Sequence, residues 1–184
     1  FAMYEEEGYT PTEIPELILT HNLYGVEIDE RAGELAAFAL TMKAREKDRR
    51  FLERNVQPNV CVLRNVKFDD KELQVYRKQI GDDVFTADFI ATLKQFEESA
   101  NFGSLICPEL NDTGQIMELL NAVDLTGELY VKDIHKRALT VVKQAEYLSQ
   151  KYHVVVANPP YMGGKGMNVR LGTWAKSNYP DSKF

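Results

Sequence analysis

Cysteine and histidine, the side chains that most often bind zinc or carry redox chemistry, are scarce in this sequence. The two cysteines are Cys61 and Cys107, and the three histidines are His21, His135 and His153. None of them forms the short paired spacing that is typical of zinc sites or dithiol motifs. The sequence therefore predicts no metal site, and each of these side chains is expected in the core or on the surface.

Long apolar runs and an excess of positive charge are missing as well. The mean hydropathy is -0.35, and no leader or membrane-length segment occurs, which predicts a cytoplasmic protein without a membrane span. With 184 residues, 44% of them hydrophobic, the chain can bury one core, so one domain is expected. The formal net charge is -6, whereas surfaces that bind duplex nucleic acid are usually basic.

The tetrapeptide Asn158-Pro159-Pro160-Tyr161 directly follows the apolar run 154–157. A short β-branched run that ends in a rigid turn predicts a buried parallel strand, which delivers its loop to the carboxyl edge of a sheet. The alternative is a turn in which the prolines only end the strand and Tyr161 covers the core edge. The glycines of the following Gly163-Gly164-Lys165-Gly166 predict a mobile lid or a substrate-facing loop. This segment is not a Walker A loop, because the spacing of the first glycine and the Ser/Thr after Lys165 are missing.

The same tetrapeptide has the groups needed to activate an aromatic amine, which is a poor nucleophile because its lone pair is delocalised. The side-chain carbonyl of Asn158 and the backbone carbonyl of Pro159 can accept both hydrogens of one NH2 group and stabilise the positive charge developing on the nitrogen. Pro159 and Pro160 hold these carbonyls rigidly. Tyr161 offers a flat face on which a flipped base can stack. These four residues are the predicted catalytic residues.

A second informative segment is the short predicted strand 23–28, followed by a helix that begins near Glu30. In nucleotide-binding α/β folds a carboxylate at the end of the second strand accepts hydrogen bonds from both ribose hydroxyls, and Glu27 has that position. Ile28 would then lie against the adenine of a cofactor, and Asp29 is the expected helix N-cap. The alternative for Glu27 is a capping or solvated acid.

The two segments GVEIDERA and VVVANPPYMGG together resemble the S-adenosylmethionine-dependent, adenine-specific DNA methylases. The resemblance is closest to the large single-chain methylases of type II restriction and BREX-type phage-exclusion systems. It implies a Rossmann-like α/β methyltransferase core, S-adenosylmethionine as cofactor and methyl transfer to the exocyclic amine of an adenine flipped out of double-stranded DNA. The resemblance also implies other subunits of a defence system as partners, and it implies no association with a membrane.

The resemblance also assigns residues to the motifs of the family. Glu27 and Ile28 match the second motif, and residues 158–161 match the fourth. Ala100-Asn101-Phe102 resembles the third, in which the polar side chain, here Asn101, bonds the cofactor's adenine amine and the ring of Phe102 packs on its edge. The glycine-rich first motif is absent, so the 184 residues are expected to be the central part of one catalytic domain, inactive alone and without a complete target-recognition domain.

The predicted elements leave an unusually long helical stretch between the two informative segments. The helix after Glu30 has Leu35, Ala39 and Met42 on one face, with Phe38 beside them. A strand is expected over 59–66, helices over 69–80 and 83–98, and a helical hairpin from 115–123 and the long helix after 127. The apolar positions of that long helix are Ile134, Ala138, Val141, Ala145 and Leu148. A helical insertion over roughly 69–150 is the prediction.

Basic residues gather after the tetrapeptide. They are Lys165, Arg170, Lys176 and Lys183, interleaved with Trp174 and Tyr179. The pattern suits phosphate contact with base stacking, and its alternative is a solvated loop.

Two other classes of function stay open at this stage. Small methyltransferases that modify protein glutamine or ribosomal RNA also resemble the chain in the tetrapeptide, although they are generally more compact between the two motifs. A non-catalytic module that works through the helical hairpin is the third hypothesis.

Overall fold

A sheet of two parallel strands organises the larger part of the chain. The computed structural model describes residues 1–110, 112–125, 129–158 and 166–181, and it divides into two units, Phe1–Ser149 and Gln150–Phe184. In the first unit, strand β1 (Tyr24–Glu27) pairs with strand β2 (Asn59–Val62). Because Glu27 faces Val62 in a parallel register, both strands end at the same edge of the sheet.

Helices make up most of the remaining structure. Those of the first unit are α1 (Ala2–Glu6), α2 (Ile14–Leu17), α3 (Glu30–Lys47), α4 (Asp70–Ile80), α5 (Ala87–Gln95), α6 (Ser99–Phe102), α7 (Thr113–Asn121) and α8 (Leu129–Ser149). A π-helical segment covers Ile18–Asn22, and 3-10 turns cover Phe51–Arg54, Phe96–Glu98 and Gly103–Leu105. The second unit contains α9 (Val169–Asn178). Within the described ranges no helix is both long and apolar enough to cross a membrane.

Helix α3 connects the two strands and packs on them through small residues. Asp29 caps its N-terminus as predicted, since Asp29 Oδ1 accepts the N–H of Ala32 at 2.9 Å. The inward face contains the buried Gly33 and Ala44. The apolar stripe that the sequence shows on this helix is on the outer side, where three large side chains are 66%, 62% and 38% exposed: Leu35, Phe38 and Met42. Gly33 lies against the strands and lets the helix approach them closely.

Gly33 sets how closely α3 approaches the sheet. A Cβ at this position would lie 2.5 Å from Cγ2 of Val62 and 3.8 Å from Cβ of Glu27. The valine methyl belongs to a stiff β-branched side chain, so the helix or the strand must move to accept it. We expect Gly33→Ala to lower the free energy of unfolding by about 1–3 kcal/mol, measured by chemical denaturation of the natural full-length protein.

Two further variants test whether that loss comes from the contact with Val62. Adding Val62→Ala removes the opposing methyl and should restore part of the interaction between helix and sheet in the Gly33→Ala background. Gly172 in α9 is the matched control, because nothing lies within 4 Å of its Cβ position. Gly172→Ala should be neutral or stabilise by up to about 1 kcal/mol. Equal effects of the two alanines would contradict the assigned role of Gly33.

The helices predicted between residues 69 and 150 are present, and α8 is the one that the others share. Helices α4, α5 and α7 each pack against α8, so the predicted pairing of 115–123 with the long helix is confirmed. Six aliphatic side chains on α8 are buried: Val131, Ile134, Ala138, Val141, Val142 and Ala145. They include four of the five positions that the apolar spacing indicates, and Leu148 is partly buried.

An ion pair fastens the start of α4 to α8. Arg137 donates two hydrogen bonds to the carboxylate of Glu72 and one to the backbone carbonyl of Lys67 at 2.6 Å. Its guanidinium lies 5.0 Å from the ring centroid of Phe68. The hydrogen bonds from Arg137 hold the pKa of Glu72 below its ordinary value. The segment that follows β2 is therefore fixed against the helices by one arginine.

The second unit departs from the predicted fold. Residues 154–157 were expected to form a buried parallel strand, and this prediction is wrong: they form no strand, and Val154, Val155 and Val156 are 77%, 76% and 92% exposed. A β-branched apolar run favours extended backbone, but a strand also needs a neighbour for its N–H and C=O groups. The described part of this unit contains no other strand, so that neighbour is missing within it.

Candidate functional site

Glu27 lies where β1 ends, at the carboxyl edge of the sheet. Its backbone carbonyl accepts the N–H of Leu63 at 2.7 Å, which ties it to the end of β2. Its side-chain Oε1 accepts the N–H groups of Ile28 at 2.8 Å and Asp29 at 3.1 Å. Among the residues that the structure describes, none bonds the second oxygen, Oε2. The carboxylate is thus held by one oxygen, and the other can accept hydrogen bonds from hydroxyl groups of a ligand.

The turn from β1 into α3 carries several carboxylates. Asp29 is used as the helix cap, which separates its role from that of Glu27. Glu30, the first residue of α3, forms an exposed ion pair with Arg64, two residues beyond β2. This edge of the sheet therefore has three carboxylates, of which one is paired with an arginine and one caps α3.

A third segment, which contains the predicted Asn101 and Phe102, is fixed beside this edge. The N–H of Ala100 donates to Oδ1 of Asn65 at 2.8 Å. Gly103 follows with a φ of 56°, and a Cβ built there would lie 3.4 Å from Cγ2 of Ile28. The structure therefore brings residues 100–103, the end of α6 and the turn after it, against Ile28; we call this segment the loop 100–103.

The side chains of these predicted binding residues differ in exposure. Ile28 is 50% exposed, so it offers apolar surface next to Glu27. Asn101 is partly buried, and its Nδ2 lies 3.4 Å from Oε2 of Glu98. Phe102 is only 8% exposed, so a ligand at this position can contact only a small part of this residue.

Three residues that the sequence reasoning missed position these segments. Asn65 holds the loop through Ala100, and Arg64 pairs with Glu30. Gln144 on α8 is 1% exposed, and its Oε1 accepts the N–H of Arg64 at 2.5 Å. Signals for two of them were available in the sequence. Asn65 lies near the end of the predicted strand 59–66, and Gln144 interrupts the apolar stripe of α8.

Asn158, the first predicted catalytic residue, belongs to the second unit, where it is exposed and lies outside any helix or strand. Pro159, Pro160 and Tyr161 lie outside the described residues, as do Gly163, Gly164 and Lys165. Within the ranges that the structure describes, no group of three or more His, Cys, Asp or Glu side chains is arranged to hold a metal ion.

Comparison with known families decides what this arrangement belongs to. Residues 21–184 match the family model of the Eco57I restriction-modification methylase, which covers most of the chain. The chain belongs to this methylase family. The matched range includes both the sheet edge with Glu27 and the segment with Asn158.

Two curated relatives of the chain carry methyltransferase names. The chain is 38% identical over 206 residues to the adenine-specific methyltransferase BrxX of Escherichia coli O9:H4 (strain HS), with 99% of the chain covered. It is 31% identical over 187 residues to the adenine-specific methyltransferase PglX of Lacticaseibacillus casei (strain Zhang), with 98% of the chain covered. The chain spans only 17% and 15% of the lengths of these two relatives.

Proposed function

We propose that the protein transfers a methyl group from S-adenosylmethionine to the exocyclic amine of adenine in DNA, within a restriction-modification or phage-defence system. The observation that carries this proposal is the meeting of Glu27 and Ile28 with the loop 100–103 at the carboxyl edge of a parallel sheet. This arrangement occurs in a chain of a methylase family whose two named relatives are adenine-specific methyltransferases.

The residues at the sheet edge fit the adenosine part of this cofactor. The open oxygen of Glu27 suits the ribose hydroxyls, and the exposed side chain of Ile28 suits the flat apolar face of the adenine. Asn101 can bond the adenine amine, and the edge of Phe102 can contact the ring. S-adenosylmethionine supplies an electrophilic methyl group, is cationic at sulfur and has no phosphate, and the carboxylates of Glu27, Asp29 and Glu30 are compatible with that chemistry.

Asn158 and Pro159 have the proposed catalytic task of accepting the two hydrogens of the target amine. Because these bonds strengthen as positive charge develops on nitrogen, they lower the barrier for methyl transfer more than they stabilise the bound base. Pro160 keeps the turn rigid, and Tyr161 stacks on the adenine after it has been flipped out of the duplex.

The proposal extends to the architecture of the whole domain. We assign the two strands to a Rossmann-like core and α4 to α8 to an insertion over roughly 69–150 that precedes the catalytic loop. A hydrogen bond connects the insertion to the core, since Gln144 on α8 accepts the backbone N–H of Arg64 just beyond β2. Other subunits of the defence system are the expected protein partners.

The test of this function uses the natural full-length protein with radiolabelled S-adenosylmethionine and three acceptors: duplex DNA, ribosomal RNA and a protein with an exposed glutamine. We expect label in the DNA, recovered as N6-methyladenine after digestion. Label in RNA or protein instead would favour the compact methyltransferases that share the tetrapeptide. Absence of both cofactor binding and transfer would favour a non-catalytic interaction module.

Asn65 should act as a positioning residue for the cofactor. Removing the acceptor of the Ala100 N–H releases the loop 100–103 from the end of β2, and one hydrogen bond of this kind is worth about 1 kcal/mol. In the natural full-length protein we expect Asn65→Ala to raise the KM for S-adenosylmethionine about fivefold to tenfold. The kcat at saturating cofactor and the affinity for DNA should stay unchanged.

Asn65→Asp is the matched variant, because it keeps an oxygen that can accept the same N–H. Its KM should remain near that of the wild-type protein. If Asn65→Ala left KM unchanged, or if the aspartate variant were equally impaired, the hydrogen bond to Ala100 would not be what positions the loop.

A further inference from the structure

The charges of the chain are divided very unequally between its two units. Of the 22 basic and 28 acidic residues, 150–184 holds five basic residues and one acidic residue, Asp181. The second unit therefore has a formal net charge of +4, which leaves -10 for residues 1–149 out of the total of -6. No Asp or Glu occurs between Glu146 and Asp181. The overall acidity of the protein thus hides a basic segment that contains the proposed catalytic loop.

Helix α9 arranges part of this segment into two different faces. Ala175 is buried, and Leu171, Gly172 and Trp174 are partly buried, so they form the inner face. The outer face contains four exposed polar side chains spaced three and four residues apart: Arg170, Thr173, Lys176 and Ser177. We call these four residues the α9 polar face. The sequence left open a solvated loop here, and the structure shows a helix that is capped by Asn168, whose Oδ1 accepts the N–H of Leu171 at 2.8 Å.

Trp174 and Tyr179 were predicted to stack on bases, and in the structure they contact each other. Their ring centroids lie 6.0 Å apart with an interplanar angle of 60°, an edge-to-face contact. Both side chains are partly buried. They pack against each other, whereas the polar side chains of α9 lie on its exposed face.

We propose that the α9 polar face binds the phosphate backbone of duplex DNA next to the target adenine, an inference that rests on the proposed function. Arginine, lysine and hydroxyl side chains are the usual donors to phosphate oxygens. Arg170 and Lys176 are six residues apart, which is about 9 Å along a helix, whereas the phosphates of one strand are about 3.4 Å apart along the duplex axis. The two cations are therefore far enough apart to contact two separate phosphates.

The position of α9 in the sequence favours the same partner. Val169 lies eleven positions after Asn158, and a chain of that length reaches at most about 40 Å. One turn of duplex DNA is about 34 Å long. Phosphates within one turn of the flipped adenine are thus within reach, and contacts there fix the register of the duplex without reading its sequence.

The experiment compares the natural full-length protein with its Arg170→Ala/Lys176→Ala variant by measuring the dissociation constant for a fluorescent duplex between 50 and 200 mM salt. Loss of two phosphate contacts should make the negative slope of log affinity against log salt shallower by about 2. Over this fourfold range of salt, the ratio of wild-type to variant affinity should shrink by about tenfold. The KM for duplex DNA should rise at low salt, while kcat at saturating DNA should not change.

Two matched variants distinguish a local contact between α9 and DNA from a general effect of the protein's net charge. Lys132→Ala/Lys136→Ala removes the same two charges from exposed positions on α8 and should leave the salt slope unchanged. Arg170→Lys/Lys176→Arg keeps both charges and should keep the slope. An unchanged slope in the α9 alanine variant, or an equal fall in the α8 variant, would overturn the proposal. The proposal would also be overturned if the α9 alanine variant lost binding to single-stranded RNA but still bound duplex DNA as the wild-type protein does. If the wild-type protein methylates DNA and the α9 alanine variant binds DNA normally, this inference is rejected and the proposed function stands. If the wild-type protein does not methylate DNA, the proposed function itself is rejected.

Discussion

Asn158→Ala is expected to lower the kcat of the natural full-length protein by about 10²–10³, with little change in its affinity for S-adenosylmethionine. The side-chain carbonyl is proposed to accept one hydrogen of the target amine, and its share of the stabilisation grows as the nitrogen becomes positively charged. Removal of one preorganised partner in comparable oxyanion sites costs about 2.7–4 kcal/mol. The loss should appear in kcat because the bond is strongest in the transition state.

The measurement is single-turnover methylation of duplex DNA at saturating cofactor, together with a calorimetric titration of the cofactor. Asn158→Asp is the matched variant, since a carboxylate keeps an acceptor at the same place, and it should retain much more activity than the alanine. Near-normal turnover by Asn158→Ala would contradict the assignment of the tetrapeptide. A parallel loss of cofactor affinity would place Asn158 in the cofactor site instead.

Glu27→Ala should raise the dissociation constant for S-adenosylmethionine by about 10²-fold or more. The alanine removes the proposed acceptor of both ribose hydroxyls, and each hydrogen bond to a charged group is worth about 1.5–3 kcal/mol. It also removes the oxygen that holds the N–H groups of Ile28 and Asp29. Ile28, which is proposed to support the adenine, therefore loses its fixed position at the same time.

Glu27→Gln separates these two effects. Its side-chain oxygen can still accept the N–H groups of Ile28 and Asp29, but its amide nitrogen cannot accept from a hydroxyl. We expect an intermediate affinity by calorimetry, and unchanged affinity for duplex DNA in both variants. A glutamine variant with wild-type affinity would show that Glu27 only fixes the end of β1. An alanine variant with wild-type affinity would remove Glu27 from the cofactor site.

Several parts of the site could be predicted from local sequence alone. The strand at β1, the cap at Asp29 and the start of α3 follow from short-range preferences. Tyr24 and Val26 favour a strand, and the side chain of Asp29 then satisfies a free N–H group of the first helical turn. The apolar spacing in α8 likewise indicated which residues are buried. Such predictions succeed because the interactions that decide them lie within a few residues along the chain.

Other features depend on residues that are distant in sequence. The outer position of Leu35, Phe38 and Met42 could not be predicted from α3 alone. It depends on the packing of Gly33 against Val62, a residue of β2 that is distant in sequence. The run 154–157 is as apolar as a buried strand, yet it forms none, because pairing needs a partner strand that the described part of its unit does not contain.

The sequence by itself shows the groups that carry the proposed chemistry: a carboxylate at the end of a strand, an Asn-Pro-Pro-Tyr tetrapeptide and a basic segment with a single acid. These are properties of residue type and spacing, which need no fold to be visible. Only the tertiary structure decided which segments lie beside the carboxylate of Glu27 and what holds them there. Asn65 reaches Ala100 across 35 positions, and Gln144 reaches Arg64 across 80. Hydrogen bonds over such separations form only after the helices have packed on the sheet, because that packing is what brings the two partners together.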